Sequence, residues 1–207
     1  MTKYMHACVV LEKDGKNLVI DPGNLSDDFV VPADVVAVVV THIHADHCDP
    51  DKLRAILTDN PDAVVYALGE VLSAAEVPIC VVEPGEQIGI GGFELEFTAG
   101  QHAIIHPDIP RAGNIGVIVD NLLYYPGDSF APAGREISHV LLPVSAPWLK
   151  TQESVDFARQ AHAQYVYPTH DALLSDKGHA IADRVIGGLL GEGSEYRYVE
   201  PSQTITL

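Results

Sequence analysis

The stretch Thr41-His42-Ile43-His44-Ala45-Asp46-His47 places four potential metal ligands within six residues. Imidazole and carboxylate are the usual donors to Zn²⁺ and related divalent ions. His42 and His44 stand two apart on extended backbone, so their side chains point the same way. Asp46 and His47 then belong to a turn and face a second point. A lone His on a loop is ordinarily a solvated or satisfied residue, whereas four donors at this spacing form a candidate metal loop. Three further segments bring the same residue types: Gln101-His102 with His106-Pro107, Pro126-Gly127-Asp128-Ser129, and Pro168-Thr169-His170-Asp171. The chemistry such a set supports is the binding of divalent metal ions.

These donors need rigid elements behind them. Val35 to Val40 is a continuous apolar run rich in β-branched residues and predicts a strand buried on both faces. Asp49 and Pro50 predict a helix N-cap and first position, with the helix over about 51–58. The cluster therefore sits between a strand end and a helix start, where sites in α/β proteins lie. Met5–Leu11 and Asn17–Ile20 predict an antiparallel pair, ended by Asp21-Pro22-Gly23. Short strands and a helix alternate over 63–82, and hairpins are expected at Gln87–Ile90 with Phe93–Thr98 and at Ile115–Val119 with Leu122–Tyr125. Ala99 to Asn114 predicts a long functional loop. Val140–Leu142 and Tyr165–Tyr167 predict buried strands, Thr151 caps a helix through Gln160, and a last helix over 176–190 carries Ile181, Val185 and Leu189 on one face. Short strands at 196–199 and 204–206 close the chain. No linker or low-complexity tract interrupts it, so residues 1–207 form one domain of α/β class.

The order His-x-His-x-Asp-His, then His, then Asp, then His, each after a strand, resembles the signature of the metallo-β-lactamase superfold. That resemblance implies a four-layer αββα sandwich with a one- or two-metal site at its edge. It further implies that His42, His44 and His102 hold one ion, that Asp46, His47 and His170 hold a second, and that Asp128 bridges them. The implied cofactor is a pair of divalent ions, zinc first, with manganese or iron as alternatives. A bridging hydroxide would attack an ester, lactone or phosphoester bond of a small molecule, with Asp46 able to take the water's proton. Pro-Gly-Asp-Ser, Leu142-Pro143 and Pro168-Thr169-His170 resemble the short hydrolase branch that includes L-ascorbate 6-phosphate lactonase. Asp171 departs from that branch, and a charge there would repel a phosphorylated substrate. The rival readings are a di-iron redox or oxygen-handling protein of the same superfold and a non-catalytic metal-binding module.

Several residues carry two readings from sequence. Asp21 either supports the metal loop, as the resemblance implies, or starts a turn. His6 either lies near the substrate or is a satisfied core residue on a strand. Trp148 walls the pocket or packs in the core. Of the two His after strand Phe93–Thr98, His102 is assigned to the metal because it is nearer the strand end, and His106 to the pocket rim. Cys48 is a small buried residue at the helix start or a soft ligand.

The chain carries a formal charge of −17 with only 12 Lys and Arg. That balance argues against a phosphate-backbone partner and leaves a small-molecule substrate as the expected one. Three Cys without paired spacing read as free thiols of a reducing compartment. No apolar run approaches ~20 residues, so no membrane span is expected. The expectation is a cytoplasmic protein, with a homo-oligomer left open.

Overall fold

The computed structural model describes residues 1–207. Two seven-stranded sheets pack face to face. The first holds β1 (Thr2–Lys3), β2 (Val9–Lys13), β3 (Lys16–Ile20), β4 (Val35–Val40), β5 (Val64–Ala67), β6 (Cys80–Val81) and β14 (Gln203–Thr204), in the order β14-β1-β2-β3-β4-β5-β6. The second holds β7 (Gln87–Ile90), β8 (Phe93–Gln101), β9 (Gly113–Val119), β10 (Leu123–Tyr125), β11 (His139–Pro143), β12 (Tyr165–Thr169) and β13 (Glu195–Tyr196), in the order β13-β12-β11-β10-β9-β8-β7. Each sheet joins an antiparallel part to a parallel part, with β3, β4, β5 and β6 parallel in one and β10, β11, β12 and β13 parallel in the other.

Helices α1 (Pro50–Asp59) and α2 (Leu72–Ala75) cover the outer face of the first sheet, and α3 (Thr151–Ala161) and α4 (Asp176–Leu189) cover that of the second. The αββα layering follows from how β4 divides its side chains. Ala37 and Val39 enter the core between the sheets, while Val38 and Val40 enter the layer beneath Leu53 and Ile56 of α1. A strand buried on both faces has no polar positions to spare, which is why it reads as an unbroken apolar run. Asp49 caps α1, its carboxylate accepting from the Asp51 amide at 2.9 Å, with Pro50 at the first position.

Four local expectations change. His6 is not on a strand: it lies in the turn between β1 and β2, at φ 64°. Strand β8 runs on to Gln101, so the long loop shrinks to 102–112 and His102 is its first residue. Helix α3 begins after Lys150, whose amide donates to the Glu153 carboxylate at 2.7 Å, and Thr151 is its first residue rather than its cap. On α4 the buried residues are Ala182 and Ile186, while Ile181 and Leu189 are 56% and 44% exposed. The small Ala182 lets α4 approach α3 on a face one residue round from the more hydrophobic stripe.

Candidate metal centre

All donor-bearing loops leave their sheets at one end. Strands β3, β4, β8, β10 and β12 finish there at Ile20, Val40, Gln101, Tyr125 and Thr169, and His6 precedes the start of the antiparallel β2. The Ile115 amide donates to the Thr41 carbonyl at 3.0 Å, tying the metal loop to the opposite sheet. Three groups of convergent donors result: His42, His44 and His102; His6, Asp46, His47 and His170; and His42, His47 and Asp128. Asp128 stands between the halves. Its Oδ2 lies 3.3 Å from His102 Nε2 and 3.0 Å from His170 Nε2, and its Oδ1 lies 3.2 Å from His47 Nε2.

The tautomers of the rings are set from outside. His47 Nδ1 meets Asp21 Oδ2 at 2.6 Å, His170 Nδ1 meets the Ser145 carbonyl at 2.5 Å, and His102 Nδ1 meets the Ala103 carbonyl at 2.6 Å. Thr41 Oγ1 gives its hydrogen to Asp21 Oδ2 at 2.7 Å, so it accepts from His42 Nδ1 at 3.1 Å. In each of these rings Nδ1 is thus an N–H, and Nε2 is the nitrogen that faces inward and is free to bind an ion once it carries no proton. His47 Nε2 and His170 Nε2 are buried without a hydrogen-bond partner, with Asp128 oxygens 3.2 and 3.0 Å away. Orphaned buried nitrogens are rare and costly, and two such nitrogens aimed at one point beside a carboxylate suit a cation.

The electrostatics agree. Burial lowers the pKa of His42 well below its usual value and keeps the ring neutral, as a ligand must be. Burial also opposes a charge on His47 and His170, but carboxylates outweigh it: Asp128 and Asp21 raise His47 well above its ordinary value, and Asp128 and Asp46 raise His170 to about 9. Burial would raise Asp46 and Asp128 as well, yet the surrounding imidazoles hold both carboxyls far below the usual range. This half of the centre stabilises positive charge, which a divalent ion supplies.

The loops reach this geometry through close backbone approach. A Cβ on Gly23 would lie 1.7 Å from the Asp46 carbonyl oxygen, so only glycine lets the segment after Asp21 pass under the metal loop. Gly127 sits at φ 64° with Asn114 Oδ1 and Thr41 against it. Asn114 accepts from the Asp128 amide at 3.0 Å and donates to the Pro126 carbonyl at 2.8 Å, fixing the turn that carries Asp128. Sequence reading passed over Asn114, although a polar residue opening an apolar strand was a usable signal.

The residues with two readings take these places. Asp21 is buried and bonds His47 and Thr41. Trp148 lies at the centre's wall rather than in an apolar core: its Nε1 donates to Asp128 Oδ2 at 3.2 Å, and its ring stands edge-on to His102 and His170. His106 stays outside the cluster, its side chain 61% exposed, with Nδ1 accepting from the Asp108 amide. Cys48 packs in the apolar layer over the first sheet, outside the three convergent donor groups, and burial pushes its thiol up to about 12. The expectation that Asp171 presents a repelling charge is corrected: it is buried, and Lys3 Nζ lies 2.9 Å from its Oδ2. Lys3 itself had no sequence signal, since surface lysine is the default reading for an N-terminal Lys.

A family model described as the beta-lactamase superfamily domain matches residues 1–170. Protein Rv0786c of Mycobacterium tuberculosis is 31% identical over 186 residues, covering 87% of this chain and 88% of its own length. The UPF0173 metal-dependent hydrolase Ta0764 of Thermoplasma acidophilum is 26% identical over 131 residues, covering 60% of this chain and 58% of that protein. Among solved structures, Igni18, a metallo hydrolase of Ignicoccus hospitalis, superposes with TM-score 0.74 at 20% identity over 99% of this chain and 96% of its own. CmlA, a diiron β-hydroxylase of Streptomyces venezuelae, superposes with TM-score 0.72 at 16% identity over 99% of this chain and 53% of its own. No helix is long and apolar enough to cross a membrane.

Proposed function

The chain belongs to the beta-lactamase superfamily, and from that premise we propose that it is a dinuclear metal-dependent hydrolase of a small-molecule ester, lactone or phosphoester. The observation that carries the reading is the pair of buried, partnerless nitrogens, His47 Nε2 and His170 Nε2, whose opposite ring nitrogens are held by protein acceptors. His42, His44 and His102 would hold one ion, Asp46, His47 and His170 the other, with Asp128 between. Zinc is the first candidate, manganese and iron the alternatives. Such ions supply a water acidic enough to be hydroxide near neutral pH and polarise the bond that is broken.

The protein's own part is orientation. Asp21, Ser145, Ala103 and Thr41 fix which nitrogen of each ring faces inward, and Asn114 fixes the Asp128 turn. The Trp148 indole occupies one oxygen of Asp128 and forms an apolar wall beside His102 and His170. With Asp171 neutralised by Lys3, no unpaired carboxylate after His170 stands against an anionic substrate. A lactone of the kind cleaved by the L-ascorbate 6-phosphate lactonase branch therefore stays among the candidate substrates.

Elemental analysis after reconstitution tests the reading, with an expected content of between one and two ions of zinc, manganese or iron per chain, about one for each half of the centre. Less than about a tenth of an ion per chain would overturn it. A screen of phosphodiester, lactone and thioester substrates identifies the bond type, and Asp128→Asn is expected to abolish turnover and lose metal with an unchanged far-UV spectrum. The di-iron alternative, prompted by the likeness to CmlA, itself a diiron β-hydroxylase, predicts a visible absorption band in protein purified without chelator.

A further inference from the structure

His6 stands apart from the other rings of the centre. It is fully buried, turned into the cluster by a left-handed backbone at φ 64°, and its ring lies 4.0 Å from that of His170. The His6 carbonyl accepts from the His170 amide at 2.9 Å, so the two residues are also locked through backbone. Its Nε2 is 3.0 Å from Asp46 Oδ2, and by position alone His6 belongs to the donor group of Asp46, His47 and His170.

The hydrogen bonds at its other nitrogen decide its role. In His47, His170 and His102 the outward nitrogen faces an oxygen that can only accept. In His6 the outward nitrogen, Nδ1, faces the Ala172 amide at 3.4 Å, and an amide N–H can only donate. Nδ1 must then be the lone pair and Nε2 the N–H. A protonated Nε2 cannot bind a cation, but it can donate to a carboxylate.

We propose that His6 is a positioning residue, not a metal ligand: its Nε2–H holds Asp46 Oδ2 among His47 and His170. That oxygen lies 3.8 Å from His47 Nε2 and 3.3 Å from His170 Nε2. Asp46 needs such a constraint more than its neighbours do, because it sits half-buried on the turn of the metal loop while Asp128 is enclosed. The device joins the turn before β2 to the loop after β12, so the half-site is assembled from three segments far apart in sequence. This inference rests on the proposed metal centre and assigns a role within it.

The test uses full-length protein, with zinc titrated into the metal-free chain and followed by calorimetry and by the fluorescence of Trp148, the chain's one Trp. His6→Phe keeps the ring and removes the donor; His6→Gln keeps a donor toward Asp46 and an acceptor toward Ala172. Removing a partner that orients a ligand weakens metal binding about 10- to 100-fold without removing a site. His6→Phe is therefore expected to reach the wild-type stoichiometry at saturating zinc, with one site weakened by that factor, and His6→Gln to regain most of the affinity. Loss of a whole equivalent in His6→Phe at saturation, matching His170→Ala, would make His6 a ligand and overturn the proposal. Unchanged zinc affinity in His6→Phe, or no recovery in His6→Gln, would overturn it as well. Should His6→Phe not fold, the comparison of His6→Gln with wild type still decides, since a wild-type stoichiometry with near-wild-type affinity is required. Failure of the wild-type chain to take up zinc at all is a separate result, which removes the metal reading beneath it.

Discussion

Asp21 Oδ2 lies 2.6 Å from His47 Nδ1, and the same carboxylate accepts the Thr41 amide and hydroxyl, each at 2.7 Å. One buried side chain at the end of β3 thereby fixes the tautomer of a ring on the metal loop, the backbone at the end of β4, and, through Thr41, the orientation of His42. Its own backbone is left-handed at φ 50°, a conformation Asp tolerates better than most residues.

Asp21→Ala is expected to weaken zinc binding about 10- to 100-fold, the usual effect of deleting a partner that orients a ligand. It also leaves up to three buried donors without an acceptor, each costing ~1–3 kcal/mol. Thermal unfolding of the metal-free variant should therefore fall well below wild type. Asp21→Asn should be intermediate, because its amide retains one oxygen for the Thr41 amide but meets His47 Nδ1–H with a second donor. A variant with wild-type melting and wild-type zinc affinity would remove Asp21 from the centre.

The sandwich was legible because β4 and the donor loops carry strong local signals: a β-branched apolar run, Asp49-Pro50 at a helix start, and donors directly after strands. The joint geometry was less so. Lys3 bonds Asp171 across 168 residues of chain and His6 meets the Ala172 amide across 166, and no local pattern announces such contacts. His6 was misplaced on a strand because Met5 to Leu11 is apolar enough to be one; the left-handed turn at His6 is dictated by tertiary bonds to His170 and Ala172. The face of α4 was misread for a related reason. Hydrophobicity favours Ile181 and Leu189, but close packing against α3 selects Ala182 and Ile186.

The pH dependence of the metal-free protein should oppose that of metal binding. Burial works against a charge on His170, but Asp128 and Asp46 raise its pKa to about 9 from the ordinary 6.5. A raised folded-state pKa gives stability that is complete below pH 6.5 and lost as pH climbs through 9. The loss is on the order of 3 kcal/mol, at about 1.36 kcal/mol for each pKa unit. Metal-free protein should melt progressively lower across that window. Zinc must displace the same proton, so its apparent affinity should rise by up to about tenfold per pH unit there and level off above it. Calorimetry in buffers of different ionisation enthalpy should record proton release on zinc binding near neutral pH. A flat melting profile for metal-free protein from pH 6.5 to 9 would show that His170 binds no extra proton.

The two His of the 102–112 loop provide the sharpest contrast between neighbouring positions. His102 follows the last residue of β8, is 2% exposed, and has its Nδ1 held by the Ala103 carbonyl while Nε2 points to Asp128 at 3.3 Å. His106, four residues on, is mostly in solvent and bonds only within its own turn, through the Asp108 amide. The difference is one of rigidity: a strand end anchored to β9 holds a nitrogen to the accuracy a metal requires, whereas the middle of an exposed loop does not. His102→Ala is expected to lose metal from the half of the centre built by His42 and His44, and to change Trp148 fluorescence, since the two rings are 5.7 Å apart. His106→Ala is expected to keep the full metal content and wild-type melting, and to alter KM for any substrate the protein cleaves by a few-fold at most, as a solvent-exposed rim contact would. Elemental analysis of the two variants decides the matter. Retention of metal by His102→Ala together with its loss from His106→Ala would require the loop to rearrange by four residues when the ion binds, and would overturn the assignment of His102.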